Sequence, residues 1–541
     1  MARMSCAEAI AASLMRHGVN TVFGLPGAQI YDLFDALARC GTALRVITPR
    51  HEQTCGYMAL GYSKASGRPG VYAVVPGPGM LNTTAALITA YGCNAPVLCL
   101  TGQVPSAFLG RGRGHLHELP DQLATMRLLT KWADRIERPA DAPARINEAF
   151  RQMLSGRNGP AAIEVPWDCF AATADVVIPD PAPPAPAPAA DPELIENAAR
   201  LLMQARAPMI EVGGGAIDAG DAIVELAELL GAPVMSFRSG RGIVSDDHDL
   251  GVTVASGYKL WPETDVLIGI GTRLEVTSWR WSWRPPGLKT IRIDIDPAEM
   301  RRVPCEVGIV ADAKDGAASL TAAIRRLGAA KPGRRVQVHA AKQIAAKEIE
   351  AVQPQMAYLK AIRSALPRDG IVVDEISLVG FTSWFGFPVY QPRTFISSGY
   401  QGTLGAGFPM ALGVKIAKPD KPVVALTGDG GFMFGVQDLA TAVQFGIGVI
   451  TIVFNNNAFG NVRRDQQTLF DGRLVGADLI NPDFMKLAEA FSVARFRAST
   501  PAQLRTALEQ AMTATGPSLI EVPVERGSEV SPWKFLQPAP P

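Results

Sequence analysis

Asp429 stands between Gly428 and Gly430, and Asn455 and Asn456 follow beyond the next apolar run. These residue types offer hard oxygens beside a backbone free to approach a ligand closely, which is the chemistry of a Mg2+ ion holding a diphosphate. Asp429 would give a carboxylate oxygen, Asn456 an amide oxygen and Ala458 a backbone carbonyl. Mg2+ takes few protein ligands and completes its octahedron with phosphate oxygens and water. Gly428, Gly430 and Gly431 let N–H groups point at the diphosphate. A bare Gly-Asp-Gly is also an ordinary turn in which the aspartate caps a helix. The asparagine pair after a second strand argues against that simpler reading.

The elements that position these residues are legible around them. Residues 421–427 (KPVVALT) form a bounded, Val-rich run of the kind found in buried parallel strands. Residues 435–445 place Val436, Leu439, Ala440 and Val443 at helical spacing, and 449–454 (VITIVF) make a second buried strand. A strand–helix–strand unit returns the chain in parallel, so Asp429 and Asn456 emerge at the carboxyl edge of neighbouring strands. That edge is where open α/β sheets bind ligands. A second candidate is Glu52, on the loop after a strand at 45–48 (RVIT) and before a helix at 54–65. A glutamate there is also what a helix dipole favours.

The 541 residues exceed one core and suggest about three domains. The boundaries expected are a first domain over 1–178, a Pro/Ala linker over 179–191 and a central domain over 192–330. A basic, helical, apolar-poor linker over 331–355 and a last domain over 356–541 complete the chain. Each domain alternates short Val/Ile-rich strands with helical stretches, so the fold class is α/β, with three doubly wound parallel sheets. In the central domain, strands at 209–212 and 266–270 run into Gly213-Gly214-Gly215 and Gly271, and 290–295 ends at Asp296. That pattern makes a potential nucleotide crevice, although glycine-rich turns are also how such sheets turn. Residues 160–168 (PAAIEVPWD) and 517–525 (PSLIEVPVE) echo each other, so the outer domains share one topology.

Apolar residues make up 48%, charged residues 19%, and the net charge is +1. Nothing there suggests disorder, a nucleic-acid partner or a membrane surface, and no apolar run reaches the roughly 18 residues of a membrane span. Residues 1–19 read as an amphipathic helix without a cleavage site, not as a signal peptide. Seven cysteines without a CxxC pair fit the buried thiols of a cytoplasmic protein.

The run 50–82 (RHEQTCGYMALGYSKASGRPGVYAVVPGPGMLN), together with the Gly-Asp-Gly and asparagine pattern, is similar to the acetohydroxyacid synthase group of thiamine diphosphate enzymes. The resemblance implies pyrimidine-binding, central Rossmann-like and diphosphate-binding domains. It makes Glu52 the residue bonded to N1′ of the cofactor's aminopyrimidine, where a shared proton lets the 4′-amino group take the thiazolium C2 proton. The thiazolium ring then accepts electrons when a C–C bond breaks. It places Pro26, Asn82, Ser377, Gly402, Thr403, Phe459, Gly460 and Asn461 against the cofactor, with Leu404 under the bend between its rings. The metal ligands implied are Asp429, Asn456 and Ala458. It further implies a homodimer or dimer of dimers, each site drawing Glu52 from one chain and Asp429 from another.

Departures from that group direct the choice of reaction. Leu116-His117-Glu118 stands where those synthases carry Phe-Gln-Glu, so His117 faces the reacting carbonyl as acid or base, or else only bonds its own loop. Asp465 stands where a substrate-selecting tryptophan falls, and Ala28 and Gln29 replace glycine and alanine. Residues 253–257 (TVASG) lack the Met-His-Gly run tied to flavin binding, so FAD is not expected, although the Gly213-Gly214-Gly215 turn leaves room for it. The expected activity is a Mg2+- and thiamine diphosphate-dependent lyase or carboligase acting on a 2-oxoacid or 2-hydroxyketone, with Glu52, His117 and Gln29 catalytic. Acetolactate synthesis from pyruvate and 2-oxoacid decarboxylation are the alternatives. An inactive regulatory homologue is opposed by the intact Glu52, Asp429 and Asn456. A nicotinamide or flavin oxidoreductase would need a third glycine after Gly269-Ile270-Gly271.

Overall fold

Val- and Ile-rich runs separated by helices build three six-stranded parallel sheets, and the computed structural model describes residues 2–328 and 333–540 of them. In the first part of the chain, β1 (Ala2–Ser5) precedes β2 (Thr21–Gly24), β3 (Arg45–Ile47), β4 (Gly70–Val74) and β5 (Val97–Gln103). β6 (Trp132–Arg135), β7 (Ala161–Pro166) and β8 (Thr173–Val176) complete it, and the sheet runs β3-β2-β4-β5-β7-β6. The central part holds β9 (Pro208–Val212), β10 (Val234–Ser236), β11 (Gly251–Val252), β12 (Val266–Ile270), β13 (Lys289–Asp294) and β14 (Val307–Val310). Its order, β11-β10-β9-β12-β13-β14, is that of a dinucleotide-binding sheet.

The last part holds β15 (Ile371–Asp374), β16 (Phe395–Ile396), β17 (Val423–Gly428), β18 (Ile450–Asn455), β19 (Ala494–Arg497) and β20 (Ser518–Pro523). The order β16-β15-β17-β18-β20-β19 repeats that of the first sheet strand for strand. The α/β class and the shared topology of the outer domains therefore hold. β17 and β18 are parallel neighbours, with Gly428 opposite Phe454, so Asp429 and Asn456 do leave the same sheet edge.

Four expectations need correction. Residues 1–19 are not one helix, because Ala2–Ser5 pairs antiparallel with Thr173–Val176 before a helix over Cys6–Arg16. Ser5 and Glu8 form a capping box that starts that helix. The helix expected at 54–65 begins at Glu52, with His51 Nδ1 accepting from the Gln53 N–H at 3.1 Å. The stretch 435–445 is a 3-10 turn over Val436–Asp438 and a short helix over Leu439–Gln444, preceded by a helical turn at Asp429–Phe432. The basic, helical stretch expected as a linker is a helix over Arg335–Ile349, but it packs on the core and buries Val338, Ala341 and Ala345. The boundary placed at 330/331 lies outside the described residues.

One apolar core runs through the first and last sheets, joining Phe23, Tyr57 and Met58 to Met410, Phe432 and Val453. At its centre the helix Glu52–Ser66 crosses the helix Gly407–Ala417 backbone to backbone. A Cβ on Gly61 would lie 2.1 Å from the Met410 carbonyl, and one on Gly413 would lie 1.9 Å from the Met58 carbonyl. Among the described residues no helix is long and apolar enough to cross a membrane.

Candidate active site

Loops after β2, β3, β4 and β5 gather at the carboxyl edge of the first sheet. Glu52, the first residue of its helix, accepts from Asn82 Nδ2 at 3.0 Å. Gly79 lies beside it, where a Cβ would clash with Val75 Cγ2 at 2.5 Å and touch Glu52 Oε1 at 3.6 Å. Gly77 meets the His117 backbone so closely that its Cβ would lie 2.5 Å from the His117 carbonyl oxygen. Gln29 and His117 both hold left-handed backbone conformations, at φ 69° and 65°, an uncommon state for non-glycine residues that clusters at functional sites.

These two side chains form a hydrogen-bonded pair. Gln29 Nε2 donates to the Leu116 carbonyl at 2.8 Å, which turns Gln29 Oε1 toward His117 Nδ1 at 3.1 Å. An amide oxygen only accepts, so Nδ1 of the neutral ring carries the proton and Nε2 keeps its lone pair. Burial holds His117 below the usual histidine pKa, with the nearby Glu52 carboxylate opposing. The histidine's partner is therefore a second loop and not its own. Pro26 is exposed and Ala28 half-buried in the loop that carries Gln29.

The second cluster lies at the carboxyl edge of the last sheet. Asp429 is 2% exposed, yet its partners are an amide and backbone N–H groups, with Asn481 Nδ2 donating to Oδ2 at 2.7 Å. Burial raises its pKa, which Asn481 and the Gly430 and Ala458 N–H groups oppose. Asn456 is buried, its Oδ1 accepting from the Ala458 N–H at 3.0 Å. Among the described residues the Ala458 carbonyl accepts no hydrogen bond. A buried carboxylate without a cationic side chain, an amide oxygen and a free carbonyl fit a hard divalent cation.

Glycines and helix starts surround that donor set. Ser377 caps the helix Leu378–Gly386 by accepting from the Gly380 N–H at 3.1 Å, and Gly428 leaves Ser377 Cβ just 3.3 Å from where its own Cβ would be. Phe459 packs on Gly430, whose Cβ would fall 2.4 Å from its ring. Gly460 and Asn461 open the helix Gly460–Leu469, on which Asn461 Nδ2 donates to Asp465 at 3.2 Å. Gly402, at φ 58°, leads into Thr403 and the half-buried Leu404, and Thr403 Oγ1 lies 3.0 Å from Thr89 Oγ1. The fold thus brings Glu52, Asn82, Gln29 and His117 into one cluster and Asp429, Asn456, Ala458 and Gly460 into another. Within one chain Asp465 is bonded to Asn461 and Arg464, and no bond joins it to the His117–Gln29 pair among the described residues.

The chain matches three family models in order. Residues 4–125 match the thiamine pyrophosphate enzyme N-terminal TPP binding domain, 195–321 its central domain and 379–522 its C-terminal TPP binding domain. The chain belongs to the thiamine pyrophosphate enzyme family. A probable 2-ketoarginine decarboxylase of Pseudomonas aeruginosa is 32% identical over 533 residues, 96% of this chain and 94% of that protein. A probable acetolactate synthase large subunit of Methanocaldococcus jannaschii is 33% identical over 96% of this chain and 92% of its own length. Glyoxylate carboligase of Escherichia coli O157:H7 is 32% identical over 98% and 95%. The protein is accordingly a thiamine pyrophosphate-dependent enzyme of the acetolactate synthase type, a class that forms or cleaves C–C bonds.

Three residues at these edges carry no signal in the sequence. Asn481, from an irregular stretch, bonds Asp429, Asn455 and Asn457. Glu375 is buried, accepts from the Gly405 N–H at 2.5 Å, and is pushed up to about 8 by that burial. Glu529 lies 73 positions beyond Asn456 and touches it. In the thiamine pyrophosphate enzyme's central sheet, a cavity of ≈ 350 Å³ opens at the switch point between β9 and β12. Gly214, Gly215, Gly271 and Arg273 line it, as does Arg157, which is paired with Asp296 and Glu299.

Proposed function

We propose that this enzyme uses thiamine diphosphate and Mg2+ to cleave or join the C–C bond beside the carbonyl of a 2-oxoacid or 2-hydroxyketone. The observation that carries the reading is the Glu52 carboxylate, held by Asn82 and facing the His117–Gln29 pair at the sheet edge. Asp429, Asn456 and the Ala458 carbonyl would hold the metal. Ser377, Gly402, Gly428, Gly430, Gly431, Phe459, Gly460 and Asn461 would surround the diphosphate, Pro26 would contact the pyrimidine, and Thr403 and Leu404 would support the bent cofactor. Bound there, the cofactor supplies an electron sink for a carbanion next to a carbonyl. Glu52 holds the proton shared with N1′ of the pyrimidine. His117 offers Nε2 as a proton acceptor near neutral pH, and Gln29 keeps it in that tautomer. Ala28, Gln29, His117 and Asp465 shape the substrate pocket.

The working assembly proposed is a cytoplasmic homodimer or dimer of dimers, with domains at 1–178, 192–330 and 356–541 and no flavin. Screening 2-oxoacids for CO2 release, with ligated products measured in parallel, tests the reaction. Turnover of at least one compound is expected, and Asp429→Ala should abolish it together with Mg2+-dependent cofactor binding measured by calorimetry. Unchanged cofactor affinity in that variant would refute the metal assignment. The alternative is acetolactate synthesis, supported by relatives of that name. With His117 and Asp465 in place of the synthase residues, pyruvate should give little acetoin after acid treatment.

A further inference from the structure

The last seventeen described positions do more than end the chain. Leaving β20, the chain returns to the edge where Asp429 and Asn456 emerge and bonds Asn455, Asn456 and Asn461. The Val524 N–H donates to the Asn455 carbonyl at 2.8 Å, and Arg526 Nε donates to the Asn456 carbonyl at 3.4 Å. Asn456 Nδ2 donates to Glu529 Oε2 at 2.5 Å, and Trp533 Nε1 donates to Asn461 Oδ1 at 2.7 Å. The segment is itself pinned, with the Val530 N–H bonded to the Gln353 carbonyl at 2.9 Å and Gln355 Nε2 to the Val530 carbonyl at 2.8 Å.

Glu529 is placed to decide how Asn456 presents its amide. The two ends of a carboxamide differ in chemistry, and only the oxygen can meet a cation. Glu529 Oε2 accepts from the Nδ2 end, which turns Oδ1 to the opposite side, where it meets the Ala458 N–H. Gly460 makes this approach possible, since a Cβ there would lie 2.8 Å from Asn456 Nδ2 and 3.6 Å from Glu529 Oε2. Trp533 takes the opposite end of Asn461, whose Nδ2 is bonded to Asp465.

We propose that Glu529 is a positioning residue, set in a C-terminal segment that serves as the outer layer of the cofactor site, and that it fixes the amide of Asn456 for the metal. This rests on the assignment of Asp429, Asn456 and Ala458 as the metal site. Partners that orient a ligand are typically worth 10–100-fold in metal affinity. Losing Glu529 would leave the Ala458 N–H as the one remaining bond that orients this amide among the described residues, so nitrogen would be presented more often.

The test uses the full-length chain, stripped with EDTA and titrated with Mg2+ at saturating thiamine diphosphate by calorimetry. Glu529→Ala should weaken Mg2+ binding about 10–100-fold, while Glu529→Gln should stay near the parent because its amide oxygen still accepts from Asn456. A merely structural residue would lower the melting temperature of the stripped protein without that difference between Ala and Gln. Unchanged or tighter Mg2+ binding in Glu529→Ala overturns the proposal, and tighter binding would mean that the carboxylate competes with the diphosphate. Asp429→Ala, run alongside, separates the two readings. If it too binds Mg2+ like the parent, the metal site itself is misassigned and both fall.

Discussion

His117 has one partner that explains its tautomer and one neighbour that bears on its charge. Burial disfavours the imidazolium, so the ring stays neutral to a lower pH than an ordinary histidine, and the Glu52 carboxylate only partly offsets this. If neutral Nε2 is the working base, kcat/KM holds on acidification until the pH passes below the usual histidine value, then falls as the ring protonates. We expect His117→Gln to lose this acid limb and about 10²–10⁴-fold in rate, with cofactor affinity unchanged. A pH–rate profile of parent and variant checks it, and an acid limb surviving in His117→Gln assigns the limb to another group. The sheet-edge positions of Glu52, Asp429 and Asn456 were legible because their motifs are contiguous with the strands that carry them. Asn481 and Glu529 were not, because they reach the same edge from irregular stretches where no periodicity or spacing marks a destination. Gln29 was found as a departure from a pattern, but its bond to His117 is a tertiary fact that spacing does not contain.

At the scale of elements, long apolar runs were the reliable guide. β17 and β18 emerged within a residue or two of their expected bounds because both are buried on two faces and bounded by turn residues. Ala2–Ser5 was missed because four residues are too short a run to stand out beside the helix that follows, and they become a strand only by pairing with Thr173–Val176. The Arg335–Ile349 stretch reads as helical, but its packing does not show in the sequence because just three of its fifteen residues are buried, too few to make an apolar stripe visible. The crossing at Gly61 and Gly413 gives a sharper test. In an isolated helix, Gly→Ala stabilises by about 1 kcal/mol. Here the new methyl meets a carbonyl oxygen of the facing helix, so Gly61→Ala should destabilise by about 1–3 kcal/mol. Denaturant unfolding decides the sign, and a gain in stability would show that the helices cross elsewhere. The helix opened by Glu52 is one of the pair, so the variant should also blunt activity.

In the whole molecule, each chain holds both clusters but on different sheets. The first and last domains are locked together by bonds from the Arg50 N–H and Thr54 to Asp438, at 2.7 and 2.6 Å, and by their shared core. Large apolar side chains are left exposed beside both clusters. Leu81 precedes Asn82, Leu116 precedes His117, and Phe434 follows the turn that begins at Asp429. Apolar surface at an active-site edge is what a second copy of the chain would cover. If Glu52 of one subunit works with Asp429 of another, two individually dead variants should rescue each other. A heterodimer of Glu52→Gln and Asp429→Ala chains carries both defects in one site and neither in the other. Unfolding and refolding an equal mixture should therefore restore about a quarter of the parent sites if subunits pair at random. Sites built within one chain would give no rescue at any mixing ratio, because every site would retain one defect. Activity after co-refolding, compared with each variant refolded alone, distinguishes the two. A flat result would confine catalysis to the single chain and remove the need for a partner.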